Sequence, residues 1–372
     1  MKLQFLVRKR ILVISPEPWD HIPVSKHHYS MELANLGNEI YFLNPPSHQN
    51  NIAAAPDNKN IKIINYNGIS GLNQIPAKLR FFLNRMLLRR IFKLSSGEFD
   101  VVWTFDPFRF QDLNLFKTSA KIYHAVDIHI SPLEEQLANS CHVILSVSDM
   151  ILERFNHLNK PRVKINHGLA SHFLSEIRTE YITIQSKRRQ VGYVGNLDNW
   201  CLDKITLLTI VNSHPEVDFN FIGPFKSDSE LGSNLKKSTN ARLIGKVASS
   251  ALPEYLNKCD IFLMCYDGSN QKVNSNHHKI IEYLATGKPV VMNFTDEYKD
   301  KRDLVIMSDD NRELPLLFNQ VIHRLEDFNG IEVRAKRIAF AESNSYFNHV
   351  IHIDDILAKI ISNVPVAHQA TQ

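Results

Sequence analysis

Several features that mark other classes of protein are missing from this sequence. It has only four cysteines and none of them forms a C-x-x-C pair, so we expect buried free thiols in a reducing compartment rather than a disulfide framework. No apolar run reaches the ~18 residues that span a bilayer. The N-terminal stretch MKLQFLVRKRILVISP lacks the continuous apolar segment and the cleavage site of a signal peptide. We therefore expect a cytoplasmic protein.

Repeats, low-complexity segments and strong charge are also lacking. The formal net charge is +4 over 372 residues, too small to predict a nucleic-acid partner. No D-x-D signal or cluster of histidine and cysteine ligands stands out, so we expect no metal cofactor. No G-x-G-x-x-G follows the first predicted strand, which disfavours a nicotinamide dehydrogenase.

What the sequence does contain is an alternation of short apolar runs with helical patterns, which is typical of parallel βαβ units. We predict two doubly wound, Rossmann-like α/β domains that face each other across a cleft, with ligands at the carboxyl ends of the strands. The predicted divisions are 1–170 for the N-terminal domain, 171–189 for a linker, 190–330 for the C-terminal domain, and 331–372 for helices that cap the second domain or cross back to the first.

The apolar runs also give the approximate positions of the elements. Strands of the first domain are predicted near 10–15, 39–46, 61–66, 100–105, 121–126, 143–148 and 163–168. Strands of the second domain are predicted near 190–196, 218–223, 241–247, 260–265, 289–293 and 303–307. Helices are predicted near 26–36, 76–94, 203–213, 250–258, 276–286, 311–326 and 331–362.

The stretch NHHKIIEYLATGKPVV combines an amphipathic helix with the start of a buried strand. Lys279 and Glu282 are three positions apart, so they share one face of the helix, near a strand end where ligands bind. A solvated ion pair on the surface, worth at most about 1 kcal/mol, is the alternative interpretation. Pattern alone leaves both interpretations open.

The text N-x-x-K-x-x-E-Y-L-A-x-G-K-P-V-V resembles the donor-site signature of GT-B glycosyltransferases of the retaining, family-4-like group (glycosyl transferases group 1), including bacterial teichuronic-acid-type and capsule-type members. VGYVGNLDNWCLD, FNFIGP and ARLIGKVASSALPEYLNKCDIFLMCY resemble further segments of the C-terminal domain of that family. KIYHAVDIHISPLEEQLANSCHVILSVSDMILERF and VKINHGLASHF resemble the end of its N-terminal domain. The resemblance covers roughly residues 10–325.

The resemblance implies an enzyme, a hexosyltransferase-like glycosyltransferase, in which Glu282 holds the ribose hydroxyls of a nucleotide sugar of the UDP or GDP type. Lys279 would reach a phosphate or orient Glu282. Asn276 would lie at a helix N-terminus that suits a diphosphate. Many relatives have a second acid eight positions before the first, and here that position is Asn274, which can still bond a sugar hydroxyl.

The loop YVGNLDNW places Gly195 and Asn196 directly after a strand. A glycine there permits a close approach of the backbone to the donor, although a plain turn accounts for the pattern equally well. Relatives often place a basic residue shortly after this loop, and only Lys204 is available. We therefore expect charge compensation from Lys279, Lys272 or backbone amides.

The first predicted domain carries candidates for the acceptor side. Trp19, Asp20, His27 and His28 lie where the resemblance implies that an acceptor enters, although a histidine on the helix surface is the alternative for the last two. Catalytic candidates are Asp127, just past a strand, and His124, for which packing inside the strand is the alternative interpretation. The resemblance also implies that the leaving phosphate can take the acceptor proton.

The segment PAKLRFFLNRMLLRRIFKL is strongly basic and apolar. Its apolar residues, including Leu79 and Phe82, form a wide helical stripe, and it has no acid. Such a helix indicates contact with an anionic membrane surface, at ~1 kcal/mol per basic residue. The alternative is a core helix with arginines reaching solvent. Its proposed membrane contacts are Arg80, Arg85, Arg89 and Arg90.

Three functions are therefore weighed. The first is transfer of a sugar from a nucleotide-sugar donor to a hydroxyl of a glycan or lipid-linked acceptor, with retention and without metal, in the synthesis of surface polysaccharide or a related glycan. Its location would be cytoplasmic and peripheral, on the inner face of the cytoplasmic membrane. The second is a GT-B sugar-nucleotide epimerase, and the third is a non-catalytic nucleotide-sugar-binding protein.

Overall fold

The computed structural model describes residues 3–177, 188–267 and 277–362. The chain divides into two compact units. One comprises Met1–Asn166 with the segment from Tyr346 onward, and the other comprises His167–Ser345. Each unit is built on one sheet.

The first unit is an eight-stranded sheet in the order β3-β4-β2-β1-β5-β6-β7-β8. All neighbours pair in parallel except β3 and β4. Its strands are β1 (Arg10–Ile14), β2 (Glu39–Leu43), β3 (Asn51–Ala55), β4 (Asn58–Asn65), β5 (Val101–Thr104), β6 (Ala120–Ala125), β7 (Val143–Ser146) and β8 (Arg162–Lys164). Its helices are α1 (Ser25–Asn35), α2 (Ala77–Leu94), α3 (Pro132–Ser140), α4 (Asp149–Glu153) and α12 (Tyr346–Ser362).

Central strands of this sheet are continuous apolar runs because both faces are covered. The four residues Val101–Thr104 of β5 are all buried, as are the last four of β1. Helix α1 ends where the sequence predicts, since Gly37 has a φ of +89°, a left-handed conformation that glycine adopts without strain.

Helix α12 belongs to the first unit, where it packs on α1. The ring of Tyr346 meets the ring of Tyr29 edge to face at 4.9 Å between centroids. The carboxylate of Asp354 accepts hydrogen bonds from the backbone N–H groups of Gln4, Phe5 and Leu6, at 2.5, 2.9 and 2.5 Å. The N-terminal segment is therefore attached to the last helix of the chain.

The second unit is a six-stranded parallel sheet in the order β11-β10-β9-β12-β13-β14. Renumbered within the unit, this order is the 3-2-1-4-5-6 order of the doubly wound dinucleotide-binding fold. Its strands are β9 (Gln190–Val194), β10 (Asp218–Ile222), β11 (Ala241–Gly245), β12 (Ile261–Met264), β13 (Val290–Asn293) and β14 (Ile306–Ser308). Its helices are α5 (Ser171–Glu176), α6 (Lys204–Ser213), α7 (Glu230–Lys237), α8 (Leu252–Asn257), α9 (Lys279–Ala285), α10 (Leu314–His323) and α11 (Ile331–Ser343).

Four elements were not predicted from the sequence, namely β3, α3, α4 and α7, and part of the predicted linker is helical. Strand β3 is alanine-rich, so its weak strand propensity hides an antiparallel edge strand. Helix α7 contains a glycine and only two buried leucines, so its pattern is short. The first residues of the predicted linker form α5, which packs on α8 and α9, while residues 178–187 lie outside the described part of the chain.

Candidate functional site

The strand order of the second unit reverses between β9 and β12. In open parallel sheets, ligands bind outside the carboxyl ends of the strands at such a switch point. The residues that follow these two strands are Gly195 and Asn196 after β9, and Tyr266 shortly after β12. This edge of the sheet is therefore the candidate site of the second unit.

Helix α9 is fixed to this edge through Tyr283. The backbone N–H of Val194, the last residue of β9, donates to the Tyr283 hydroxyl at 2.7 Å. The Tyr283 ring stacks on Phe262 of β12, with centroids 4.2 Å apart and planes 2° from parallel. One buried side chain thus holds α9 against both switch-point strands, directly beside Glu282. Sequence reasoning did not single out Tyr283, although it follows Glu282 in the quoted signature.

Lys279 and Glu282 form an ion pair on α9. The Lys279 ammonium lies 2.8 Å from one carboxylate oxygen of Glu282 and 2.9 Å from the other. The carboxylate is 13% exposed, so this is not a freely solvated surface pair. Burial raises the pKa of Glu282, and Lys279 opposes that shift. The pair therefore presents a largely desolvated carboxylate held by one cation.

The loop after β9 is packed closely against the loop after β10. A Cβ atom added to Gly223, whose φ is +145°, would lie 2.0 Å from the carbonyl oxygen of Gly195. Only glycine fits at position 223, because the backbone of Gly195 lies directly against it. Asn196 is exposed, and its side-chain oxygen accepts from the backbone N–H of Asp198 at 2.9 Å.

The loop after β12 is organised by polar and ring contacts. The backbone N–H of Tyr266 donates to the side-chain oxygen of the fully buried Asn293 at 2.9 Å. His277 stacks on the Tyr266 ring, with centroids 4.4 Å apart. His277 therefore joins the beginning of α9 to the carboxyl end of β12. The predicted donor residues Asn274 and Asn276, and Lys272, lie outside the described residues.

A residue of α5 also contacts the donor-side elements. His172 lies 3.1 Å, through Nε2, from the backbone carbonyl of Ser249, in the turn that precedes α8. Burial lowers the pKa of His172, and Lys279 is among the groups that lower it further. No sequence pattern indicated this contact, because His172 fell in the predicted linker.

In the first unit, Trp19 and His27 are in contact. Their ring centroids are 5.4 Å apart, and both rings pack on Phe42 of β2. The Nδ1 of His27 accepts from the Val24 backbone N–H, and its Nε2 lies 3.1 Å from the Pro18 carbonyl. Burial lowers the pKa of His27. The ring fixes the loop before α1, so both nitrogens are occupied and the geometry does not favour His27 as a general base.

The other acceptor-side candidates are not gathered around Trp19. His28 stacks on Tyr346 of α12 at 4.9 Å. Asp20 is exposed in the loop. Asp127 is exposed just beyond β6, whereas His124 is 1% exposed within that strand and stacks on Phe105 at 4.9 Å. The packed interpretation of His124 is the one that matches this geometry.

A cluster that sequence reasoning missed lies at the switch point of the first sheet, between β1 and β5. The Nε of Arg109 donates to the Asp106 carboxylate at 2.6 Å. Its Nη1 donates to the Asn44 carbonyl at 2.7 Å, and its Nη2 donates to the Ser15 carbonyl. Arg109 thus ties together the loops after β1, β2 and β5. No motif marks it, because its partners come from distant parts of the sequence.

The structure of helix α2 contradicts one of the four predicted membrane contacts. Arg80 is buried, and its guanidinium donates to the carbonyls of Asn73 and Ile75 and to the Gln136 side chain, so it is not a surface contact. Leu87 and Ile91 are core residues. The exposed residues of this helix include Leu79, Phe81, Phe82, Arg85, Arg89 and Arg90.

No helix in the described ranges has both the length and the apolar character needed to cross a bilayer. Among the same residues, no group of three or more histidine, cysteine, aspartate or glutamate side chains is arranged to hold a metal ion.

Residues 188–322 match the family model of the glycosyl transferases group 1. The match spans Gly195, Asn196, Lys279 and Glu282. The chain therefore carries a glycosyltransferase domain, and the prediction of an enzyme of this class is confirmed. No significant match was found among curated proteins.

Solved structures match both units. A sucrose-phosphate synthase from Thermosynechococcus elongatus superposes with a TM-score of 0.71 at 10% identity, over 95% of this chain and 100% of that one. A glycosyltransferase from Rickettsia africae gives 0.67 at 14% identity, over 96% and 99%. A structure described as trehalose-6-phosphate from E. coli bound with UDP-2-fluoro glucose gives 0.67 at 10% identity, over 95% and 99%. The predicted GT-B fold, two parallel-sheet α/β domains, is confirmed.

Proposed function

We propose that this glycosyltransferase transfers a sugar from a nucleotide-sugar donor of the UDP or GDP type to a hydroxyl of a glycan or lipid-linked acceptor. The observation that carries the proposal is the largely buried Glu282 side chain, 13% exposed, at the switch-point edge of the second sheet. Desolvated charge is unfavourable unless it has partners. Among the residues that the structure describes, Lys279 alone donates to this carboxylate, which leaves acceptor positions on it unused. Two vicinal ribose hydroxyls would supply the missing donors.

Each donor-side residue has a part in this proposal. Glu282 would accept hydrogen bonds from the ribose, and charge-assisted bonds of this kind are the stronger ones. Gly195 would let the backbone approach the diphosphate closely. Lys279 would hold Glu282 in place and partly neutralise the phosphates. These roles need no metal, and we propose none.

The transfer step would retain the configuration of the donor sugar, with the leaving diphosphate accepting the proton of the attacking hydroxyl. Asp127 is the exposed carboxylate at the end of β6 and stays the catalytic candidate of the first unit. His124 is packed among aromatic rings, so its part would be to support that strand end. The role in surface polysaccharide synthesis, and the likeness to teichuronic-acid and capsule-type members, are finer parts of the same proposal.

We further propose that the outer face of α2 contacts the anionic inner face of the cytoplasmic membrane. Phe82 is 63% exposed and Leu79 is 51% exposed. Arg85, Arg89 and Arg90 are exposed on the same helix. An exposed apolar cluster beside basic side chains is typical of a helix that lies in the membrane interface. Arg80 has no part in this contact.

Titration of the full chain with UDP, GDP and their sugars tests the donor assignment. The Glu282→Ala variant should bind about ten to a hundred times more weakly, since a hydrogen bond to a charged group contributes roughly 1.5–3 kcal/mol. Unchanged affinity would remove Glu282 from the site. Free product formed without any acceptor would instead favour an epimerase, and binding without turnover on lipid-linked acceptors would favour a non-catalytic protein.

A further inference from the structure

The first unit contains a cavity of about 310 Å³ at the carboxyl ends of β4 and β5, on the inner side of α2. Its walls come from the loop after β4, from Asn84 and Leu87 of α2, and from Phe108, Arg109 and Phe110 after β5. This volume is at the lower end of the range of about 300–1,000 Å³ for small-molecule sites. The cavity can hold a compact ring rather than a long chain.

A network of side-chain amides shapes one wall. Gln111 is 1% exposed and donates through Nε2 to the Phe108 carbonyl at 2.5 Å and to the Asn73 side-chain oxygen at 2.7 Å. Its own side-chain oxygen accepts from the Asn84 amide at 3.4 Å. Because a carbonyl can only accept, these bonds fix the orientation of all three amides.

This network leaves two polar groups for a ligand. Asn84 is 4% exposed, and its side-chain oxygen accepts no hydrogen bond from any residue that the structure describes. The Asn73 side-chain amide nitrogen donates to none of them either. Both residues line the cavity, so these two groups are available to a bound molecule. The cavity thus offers an acceptor and a donor on neighbouring elements.

The described residues that line the cavity carry no unpaired charge. Arg109 is the single ionised residue on its wall, and it is paired with Asp106 and with two backbone carbonyls. A phosphate or carboxylate would therefore find no uncommitted cation. A purely apolar ligand would leave the amides without partners.

The remaining wall is apolar and held in an unusual backbone conformation. Phe110 has a φ of +51°, which is uncommon for an aromatic residue and indicates backbone strain. Its ring is 2% exposed and packs edge to face on Phe116 at 5.6 Å between centroids. Phe110 keeps this conformation in the loop that forms the cavity wall together with Phe108.

We infer that this cavity binds one uncharged sugar ring, with its hydroxyls on Asn73 and Asn84 and its less polar face on Phe108 and Leu87. The inference rests on the proposed function, since the ring would belong to the glycosyl acceptor. Helix α2 would then have a binding role on each of its two faces. Its inner residues hold the acceptor sugar, and its outer face meets the membrane about one helix diameter away, ~10 Å.

The test is ligand-observed NMR of the full chain with methyl glycosides of glucose, mannose and N-acetylglucosamine, and with glucose 6-phosphate as the charged contrast. At least one neutral glycoside should bind saturably at millimolar concentration. Replacing Asn73, an exposed residue whose loss should leave the fold intact, with Ala should weaken binding roughly five- to tenfold, as the loss of one hydrogen bond predicts. Leu72→Trp, which fills the cavity, should abolish it.

The matched control is Leu208→Trp, at an equally half-buried leucine on a cavity wall of the second unit. It should leave glycoside binding unchanged. Binding of none of the three glycosides, undiminished binding to Leu72→Trp, or equal binding of glucose 6-phosphate would each overturn the inference. UDP and GDP titrations of the same samples separate the two proposals, because they report on Glu282 and not on this cavity.

Discussion

The ammonium of Lys279 donates to both carboxylate oxygens of Glu282, at 2.9 and 2.8 Å, one turn apart on α9. A carboxylate has about four lone-pair positions, so this contact leaves room for two more donors. Burial raises the pKa of Glu282 while Lys279 acts in the opposite direction. The lysine therefore favours the ionised form of this carboxylate, and this gives the first prediction.

Lys279→Met should make donor binding more sensitive to acid. Binding of ribose hydroxyls as proposed needs the ionised carboxylate, so affinity falls as pH drops through the pKa of Glu282. That pKa already lies above the ordinary glutamate value, and without the lysine it should rise further. Calorimetric titration with UDP and GDP from pH 8 downward should show the variant losing affinity at a higher pH than the parent.

The control for this experiment is Lys258→Met. Lys258 also pairs with a glutamate on a helix, Glu254 at 2.7 Å, but both side chains are exposed. Its removal should leave the pH profile of donor binding unchanged. Identical profiles for the parent and Lys279→Met would contradict the stated role of Lys279.

The outer face of α2 can be tested with liposomes. Changing Arg85, Arg89 and Arg90 to Ser should weaken binding to anionic vesicles by roughly 3 kcal/mol, or about a hundredfold, at ~1 kcal/mol per basic residue. Flotation with vesicles of anionic and neutral lipid measures the effect. Phe82→Ser should reduce binding to the anionic vesicles without any change of charge.

A matched variant removes the same charge from the second unit. Arg242, Arg312 and Arg324 are 67%, 90% and 72% exposed, and their joint change to Ser should leave flotation unchanged. Equal flotation of the α2 triple variant and the parent would contradict the proposed membrane contact of this helix.

Arg337 should be essential to the stability of the second unit. Its side chain is buried and donates to the carbonyls of Leu304, Gly287 and Phe328, at 2.9, 3.1 and 3.0 Å. Arg337→Met should lower the free energy of unfolding by roughly 3–5 kcal/mol, because three carbonyls lose their donor, two of them in buried hydrogen bonds. The midpoint of urea denaturation is the measurement.

Arg324→Met is the control. Arg324 pairs with Asp327 on the surface, so this change should lower the free energy of unfolding by at most about 0.5 kcal/mol. Burial lowers the pKa of Arg337 to about 10, so its charge persists at neutral pH. Equal midpoints for the two variants would show that the buried arginine is dispensable.

Asp354→Asn should release the N-terminal segment. An asparagine retains one acceptor oxygen and loses the charge that strengthens the bonds to Gln4, Phe5 and Leu6. Trypsin should then cleave at Arg8 and Lys9 about ten times faster or more, at a loss of roughly 1.5 kcal/mol. Mass spectrometry of the early fragments measures the rate.

Asp355→Asn is the matched control, because it removes the same charge from the next residue of α12. The loss of helix charge then cancels in the comparison, and any difference reports on the three backbone bonds. Cleavage of both variants at the parental rate would mean that Asp354 does not secure the segment.

Sequence reasoning succeeded where a pattern is local. Alternating apolar runs predicted the parallel strands, because a strand buried on both faces must be continuously apolar. The helix signature singled out Lys279 and Glu282 because the two residues are three positions apart on one helix. Sequence reasoning failed for α2. The predicted apolar stripe placed Leu87, which is in the core, on the same face as Phe82, which is 63% exposed. A helical period does not say which part of a wide apolar surface finds a partner.

The sequence by itself therefore determined the α/β architecture, the order of the strands along the chain and the placement of Lys279 and Glu282 on one face of α9, since each depends on neighbours within a few residues. Only the tertiary structure decided which loops meet. Arg109 joins three strand ends, Gln111 orients Asn73 and Asn84, and Asp354 binds a segment about 350 positions earlier. The physical reason is that such contacts are selected by burial and by hydrogen-bond satisfaction among distant groups, and neither leaves a periodic signal in the chain.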